Sequence, residues 1–262
     1  MDIPKKKYDL IILIGIRSII KRKLDPKRIL PFCKKLIDMG DSALDPRKNF
    51  EDVYLYFNKS SKKLYAHYHY LPKFILEEYL YIEPRKDEKL NIFVDHFGCS
   101  NPSLRKESIE AINKIFTDIR DADTPMNIFY HTSKGIEINR LSPEIPKIGK
   151  SQCASYIPFE EIAKYYRKTD VFFPTHRESQ GMVAQEIAAC GGITVLQDWM
   201  YPKISHDQFS AMLYNQDQKI DFNFIKETLK KIDKVDIRKN ALNKCSFLNF
   251  QDRLREIISK LF

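Results

Sequence analysis

The chain has 262 residues and a mass of 30.9 kDa, which is room for one large domain or two small ones. Hydrophobic residues make up 43% of it and charged residues 30%, and these fractions exclude collagen-like, disordered and disulfide-scaffold chains. The 44 Lys and Arg outnumber the 35 Asp and Glu, and the net charge of +9 favours anionic partners: phosphorylated ligands, nucleic acid or an acidic membrane surface.

Short apolar runs alternate along the chain with amphipathic stretches of helical length. They predict strands at residues 10–14, 53–57, 91–95, 127–131, 171–174, 193–197 and 211–214. They predict helices at residues 27–39, 72–80, 105–120, 159–169, 182–190, 222–232 and 249–261. Uniformly apolar strands that alternate with helices indicate an α/β fold with a doubly wound, parallel, Rossmann-like sheet.

The composition changes at residues 83–89, where charged residues and a proline separate a Tyr-rich segment from a new strand. We therefore predict two domains: a smaller α/β segment over residues 1–86 and a larger Rossmann-like domain over residues 87–262. The first of these carries only two glycines, Gly15 and Gly40.

The longest apolar run covers residues 10–16, far short of the roughly 20 that a membrane-spanning helix needs. No small-residue cleavage site follows it, so we expect no signal peptide. The five cysteines are too widely spaced for a zinc knuckle or a redox pair and predict reduced thiols in a cytoplasmic protein. His67 and His69 could share one strand face, but no third metal ligand is placed, and no metal site is predicted.

The most informative segment begins at Asp170, where a buried strand ends at Pro174 and a polar loop leads to Gly181. A helix follows and stops at Gly191-Gly192. In an open α/β sheet, ligands bind at the carboxyl ends of the strands, where this loop lies. Free N–H groups at the start of the helix would favour a diphosphate. Glu186 stands among apolar neighbours, and ribose hydroxyls would give its carboxylate partners.

This segment resembles the donor-binding motif of retaining GT-B glycosyltransferases (glycosyltransferase group 1, family 4-like). The likeness lies in the strand, the Pro-Thr-x-x-Glu loop, the glycine, a second Glu eight positions after Glu178, and Gly-Gly. It extends over about residues 89–262, is strongest over residues 157–197, and implies a nucleotide-sugar-binding domain.

The resemblance implies a role for each residue that matches the motif. Glu178 faces the donor sugar and is the expected catalytic residue, and Glu186 binds the ribose. Gly181 and the N–H groups of Met182 and Val183 contact the diphosphate. Ser179 and Gln180 replace the family's Gly-Phe, so the resemblance does not imply which sugar is selected.

The resemblance also implies basic residues after the first strand of this domain. Gly98 ends that segment, and Cys99 stands where the family has an arginine. Arg105 or Lys106, at the start of the next helix, would take its place beside the diphosphate. Tyr156 lies where the family contacts the base, or is a core tyrosine, and His96 either lines the cleft or caps a strand.

The expected function is a metal-independent glycosyltransferase that moves a sugar from a UDP- or GDP-linked donor, with retention of configuration and without a cofactor. The expected partners are the nucleotide-diphosphate sugar and a carbohydrate or lipid-linked acceptor, with peripheral membrane association and no nucleic acid. Two alternatives stay open: a non-catalytic nucleotide-sugar-binding module of a larger assembly, and a basic nucleic-acid-binding protein.

Overall fold

The structure is a computed structural model, and the chain in it divides into two compact units. One unit comprises Met1–Lys73 together with Leu248–Phe262, and the other comprises Phe74–Phe247. The domain boundary at residues 86–87 stays a prediction. The residues that the structure describes are 7–14, 33–39, 53–58, 64–69, 74–84, 88–94, 105–131, 147–148, 158–178, 181–201, 206 and 209–259.

The first unit contains a four-stranded sheet in the order β1-β2-β3-β4. Its strands are β1 (Tyr8–Ile14), β2 (Cys33–Met39), β3 (Val53–Asn58) and β4 (Leu64–His69). β1 and β2 are parallel, whereas β2 and β3, and β3 and β4, are antiparallel. The helix predicted over residues 27–39 is wrong at its end, because Cys33–Met39 is a strand. Its Lys and Leu residues favour a helix locally, and pairing with β1 and β3 on both sides overrides that preference.

The second unit contains a six-stranded sheet in the order β10-β9-β8-β5-β6-β7, and all of its pairs are parallel. Its strands are β5 (Leu90–Val94), β6 (Met126–His131), β7 (Lys147–Ile148), β8 (Val171–Phe173), β9 (Ile193–Leu196) and β10 (Ala211–Leu213). β6 and β7 follow β5 outward on one side of the sheet, and β9 and β10 follow β8 outward on the other. The predicted doubly wound parallel sheet is confirmed.

The helices are α1 (Arg105–Arg120), α2 (Phe159–Lys168), α3 (Met182–Ala189), α4 (Phe222–Lys231), α5 (Lys234–Cys245) and α6 (Phe247–Ser259).

A short 3-10 helix at Glu77–Tyr79 and extended chain take the place of the helix predicted over residues 72–80. That segment lies against the second unit's core through Ile75 and Leu80, which irregular chain can also bury. α5 was not predicted. Asp221 and Asp233 cap the starts of α4 and α5 by accepting hydrogen bonds from backbone N–H groups.

The core of the second unit lies around β5, β8 and β9, whose residues are all buried. Phe93 of β5 packs edge-on against Tyr166 of α2 at 5.4 Å between ring centroids, and Phe173 does the same with Phe222 of α4 at 6.1 Å. These contacts place helices on the sheet and fix the positions of its strand ends.

A buried polar cluster holds the amino ends of β5 and β8 together. Asp170 accepts a hydrogen bond from the N–H of Asn91 at 3.1 Å, and Lys234 Nζ lies 3.1 Å from its other carboxylate oxygen. The N–H of Asp170 in turn donates to the carbonyl of Asn91 at 2.8 Å. Because the buried carboxylate has both a hydrogen bond and a cation, this cluster sets the register of the two central strands.

Within the described ranges, none of the helices has the combined length and apolar character that a membrane-spanning helix requires.

Candidate functional site

The candidate site lies where the strand order of the second sheet changes direction. β5 pairs with β6, the next strand in the chain, on one side and with β8 on the other. The carboxyl ends of β5 and β8 thus border the crevice that forms at such a switch point and that binds ligands in open α/β sheets. The loop after β8, which carries the sequence motif, leads directly from this edge to α3.

The first part of that loop is packed rather than solvated. Pro174, Thr175 and His176 are buried, whereas the side chain of Glu178 is 32% exposed. His176 Nε2 lies 2.7 Å from Glu178 Oε1, and the N–H of Glu178 donates to the carbonyl of Met200 at 2.9 Å. One end of the Glu178 carboxylate is therefore fixed by a buried imidazole, and the side chain still reaches solvent.

Gly181 begins α3 in a left-handed conformation, with φ at +64°. A Cβ atom at this position would lie 2.2 Å from Cε1 of the Tyr201 ring, so both the dihedral angle and the space demand glycine. A glycine offers no side-chain cap, and the first N–H groups of a helix have no partner within the helix. The N–H groups of Met182 and Val183 are thereby left for a ligand or for water, at the positive end of the helix.

Glu186 lies in the second turn of α3 with only 6% of its surface exposed. Its neighbours in the helix, among them Ala184 and Ile187, are fully buried in the core. Burial raises the pKa of Glu186 to about 8, because the charged form loses its hydration. Within the described part of the chain, no cation offsets this loss. Burial of this carboxyl group is therefore unfavourable in free energy, and hydrogen bonds donated by the hydroxyls of a ligand would offset part of that free energy.

Gly191 and Gly192 let α3 turn back tightly into β9. Gly191 has φ at +82°, and a Cβ atom on Gly192 would lie 2.6 Å from Ile187 and 2.9 Å from the carbonyl of Thr169. The Gly-Gly pair of the motif thus serves the close packing of α3 against β8 and β9, which holds Glu186 in place.

The basic residues predicted for the diphosphate lie at the start of α1, in the segment that follows β5. α1 begins at Arg105, whose side chain lies outside the described residues. The Lys106 side chain is 90% exposed, and its Nζ lies 3.9 Å from Glu110 one turn further along. Lys106 is thus available to solvent, and its phosphate role stays a prediction.

Five other positions singled out from the sequence lie outside the described residues: His96, Gly98, Tyr156, Ser179 and Gln180. Their roles stay predictions as well.

Two residues that shape the site were not predicted from the sequence. His176 lies two positions from Glu178 in the motif loop, and this spacing was the available signal. Tyr201 packs on Gly181 from a segment 20 positions away, and nothing in the sequence indicated that contact.

No family model matches the chain, and no curated protein matches it. Among solved structures, the chain is similar to a sucrose-phosphate synthase from Thermosynechococcus elongatus. The two are 13% identical, the match covers 74% of this chain and 52% of that chain, and the TM-score is 0.51. The fold is the GT-B type predicted from the sequence.

Two other solved structures are also similar to the chain. One is AviGT4, a glycosyltransferase involved in avilamycin A biosynthesis, at 11% identity and a TM-score of 0.49, with 72% of this chain and 56% of that chain covered. The other is OtsA in an apo structure, at 14% identity and a TM-score of 0.47, with 97% of this chain and 60% of that chain covered. The chain thus spans between about half and three fifths of the length of these proteins.

Proposed function

We propose that the chain is a retaining glycosyltransferase that moves a sugar from a UDP- or GDP-linked donor to a carbohydrate or lipid-linked acceptor. The observation that carries this proposal is the α3 unit at the switch point of the sheet. It combines a partly exposed carboxylate at Glu178, an uncapped helix start at Gly181 and a buried carboxyl group at Glu186.

The donor would bind along this unit. The diphosphate would accept hydrogen bonds from the N–H groups of Met182 and Val183 at the positive end of α3. Two ribose hydroxyls would donate to Glu186, and these hydrogen bonds to the charged form would lower its raised pKa. Arg105 or Lys106, at the start of α1, would add a positive charge on the β5 side of the crevice.

The transfer step breaks the bond between the anomeric carbon and the diphosphate oxygen, whose electron pair leaves with the nucleoside diphosphate. It forms a bond to the acceptor oxygen, and the acceptor's hydroxyl proton passes to the departing diphosphate. Positive charge develops on the anomeric carbon, and the partly exposed carboxylate of Glu178 would stabilise it. His176 would keep that carboxylate oriented. The helix start and the basic residues of α1 would stabilise the departing diphosphate without a metal ion, so EDTA is expected to leave donor binding intact.

The proposed setting is the cytoplasm, with peripheral membrane association where the acceptor is lipid-linked. Cys190 is a free, buried thiol, as suits a reducing compartment.

Two substitutions test the donor site. Glu186→Gln should weaken UDP and a UDP-sugar alike, because both carry the ribose, by about 10- to 150-fold for a lost charge-assisted hydrogen-bond pair. Glu178→Gln should spare UDP and impair sugar-nucleotide binding or turnover, because its partner is the sugar. Isothermal titration with UDP, GDP and their sugar conjugates measures both effects.

Glu161→Gln is the matched control, because Glu161 is an exposed carboxylate on α2 with only a 3.9 Å contact to Lys164. It should bind every ligand as the unaltered chain does. Unchanged affinities in both Glu178→Gln and Glu186→Gln would show that the two glutamates form no donor site, and the glycosyltransferase proposal would be wrong.

A non-catalytic nucleotide-sugar-binding module is the second candidate. The uncapped start of α3 and the buried Glu186 would serve such a module equally well. Such a module would bind UDP or GDP with the same dependence on Glu186. It would neither hydrolyse nor transfer the bound sugar. A transferase, in contrast, hydrolyses its nucleotide sugar slowly when water takes the place of the acceptor, and free nucleoside diphosphate is released.

A further inference from the structure

A second cavity opens on the same unit, next to the residues proposed for the donor but with a different lining. Its volume is about 770 Å³, within the range of about 300–1,000 Å³ that small-molecule sites occupy. Arg177, after β8, contributes to its wall, as do the residues that follow β9 and β10 and the first turns of α1. Neither Glu178, Gly181 nor Glu186 lines it.

One buried amide organises the wall. Gln197, at the end of β9, is only 5% exposed; its Oε1 accepts from the indole N–H of Trp199, and its Nε2 donates to Oε1 of Gln216. The three side chains form a continuous chain of hydrogen bonds that fixes the plane of the indole. Gln216 is exposed, so its amide nitrogen can donate to a ligand or to water.

Further planar or hydroxyl-bearing groups surround this chain. Asn215 and Gln218 add two exposed amides, and Tyr214 adds a phenol next to Gln197. Burial raises the pKa of Tyr214 well above its ordinary value, and its hydroxyl oxygen is buried rather than open to the cavity.

The charge of the wall is opposite to that of the chain. Among the described residues of the wall, Arg177 is the one basic residue, against three carboxylates at Glu107, Glu110 and Asp198, and these four carry a net charge of −2 in a chain of +9. Phosphate groups are disfavoured beside such a wall. Moreover, no group of three metal-ligating side chains occurs among the described residues.

We propose that this cavity binds a neutral saccharide. Sugar rings have apolar C–H faces that pack on an aromatic ring. The partly exposed Trp199 indole offers such a ring in a fixed orientation, with the Arg177 guanidinium 5.9 Å from its centroid. Their vicinal hydroxyls both donate and accept hydrogen bonds. The amides of the wall can donate and accept in return, and its carboxylates can accept. Use of the cavity to anchor a glycan acceptor rests on the proposed function, whereas the binding itself does not.

The chain contains a single tryptophan, so tryptophan fluorescence reports on this cavity directly. The full-length chain is titrated with maltotriose, cellobiose and chitotriose, with the emission of Trp199 as the readout and calorimetry as the second measurement. At least one saccharide should cause a saturable change in emission that also appears as heat. Saturating UDP should not abolish it.

Two variants separate binding in the cavity from binding elsewhere. Gln216→Ala removes an exposed amide and also the acceptor of the Gln197 amide N–H, so it should lower the melting temperature slightly and weaken the saccharide about fivefold. Asn243→Ala, an exposed amide on α5, is the matched control and should bind as the unaltered chain does. Equal affinities in the unaltered chain and Gln216→Ala would overturn the proposal.

Two other outcomes would also overturn it: no saturable response to any of the three saccharides, or saturation by spermidine alone, which would assign the wall to a cation. Glu186→Gln distinguishes this proposal from the donor site. It should lower UDP affinity and leave the saccharide response intact, so either proposal can fail while the other holds.

Discussion

Glu186 carries the strongest electrostatic signal among the candidate residues. Its pKa of about 8 follows from burial, while the hydrophobic neighbours that cause this burial are those that anchor α3 to the sheet. A carboxyl group retained there lowers the stability of the unliganded fold at neutral and basic pH. Sites that bind ligands commonly carry such a cost, which the ligand then reduces.

The pH dependence of stability should expose this cost. Between about pH 4.5 and pH 8, the unfolded chain ionises Glu186 while the folded chain keeps it protonated, so the free energy of unfolding falls as pH rises. The slope from this residue is at most about 1.4 kcal/mol per pH unit. Glu186→Gln should therefore gain stability relative to the unaltered chain across that range, as measured by denaturant unfolding at several pH values.

Glu161→Gln again serves as the control for this experiment, because the exposed carboxylate should not change the pH profile. Parallel profiles for Glu186→Gln and the unaltered chain would mean that Glu186 ionises in the folded state at its ordinary pKa. Burial would then not be the dominant influence on the pKa of Glu186.

The positions of the two glutamates in the fold were predictable, because the motif residues lie close together in the sequence, between a strand and a Gly-Gly pair that are both evident; their roles stay predictions. The contact of His176 with Glu178 was not predicted, since periodicity says nothing about loop side chains. The second cavity could not be predicted at all. Its wall combines the ends of three strands with α1, and only the order of strands in the sheet brings them together.

At the scale of elements, α3 depends on contacts at its carboxyl end as well as on its glycines. Arg238 of α5 donates from Nη1 to the carbonyls of Ala189, at the end of α3, and of Leu80. Both accepting residues are fully buried. A cation is favoured at the carboxyl end of a helix, so this side chain both pairs two carbonyls and complements the helix dipole.

Arg238→Met should destabilise the chain by about 1–3 kcal/mol, because it leaves two buried carbonyls without this donor. The expected readout is a lower denaturant midpoint with an unchanged slope. Lys239→Met, at the exposed neighbouring position, removes a charge of the same sign and should change stability by less than about 0.5 kcal/mol. Equal effects from the two substitutions would show that charge, and not carbonyl pairing, is what Arg238 contributes.

Elements buried on both faces were the most predictable, because β5, β8 and β9 are apolar at every position except Asn91 and Thr194. β2 was misread as helix because Lys34, Lys35 and Asp38 interrupt its apolar pattern, and its strand identity depends on partners about 20 residues away on either side. α5 was missed because its polar and apolar residues show little helical periodicity.

At the scale of the whole molecule, charge and local chemistry point to different partners. The net charge of +9 attracts anions of any kind, whereas the candidate donor site depends on a carboxyl group and a helix start, and the second cavity on amides and carboxylates. Long-range attraction reaches about 10 Å at 0.1 M salt and about 3 Å at 1 M. Salt therefore separates a general attraction from recognition at a built site.

UDP affinity should fall modestly as salt rises from 0.1 to 1 M, because screening removes the long-range attraction but leaves the short-range hydrogen bonds at α3. Maltotriose, which is uncharged, should bind equally at both salt concentrations.

If the positive charge instead serves nucleic acid, a single-stranded oligonucleotide will bind with a logarithmic salt slope of about −0.7 for each phosphate contacted, and Glu186→Gln will not alter that binding. Calorimetric titrations of UDP, maltotriose and the oligonucleotide across the salt series decide between these outcomes. An oligonucleotide that binds more tightly than UDP at 0.15 M salt, with no effect of Glu186→Gln on either ligand, would contradict the donor site and favour the nucleic-acid-binding alternative.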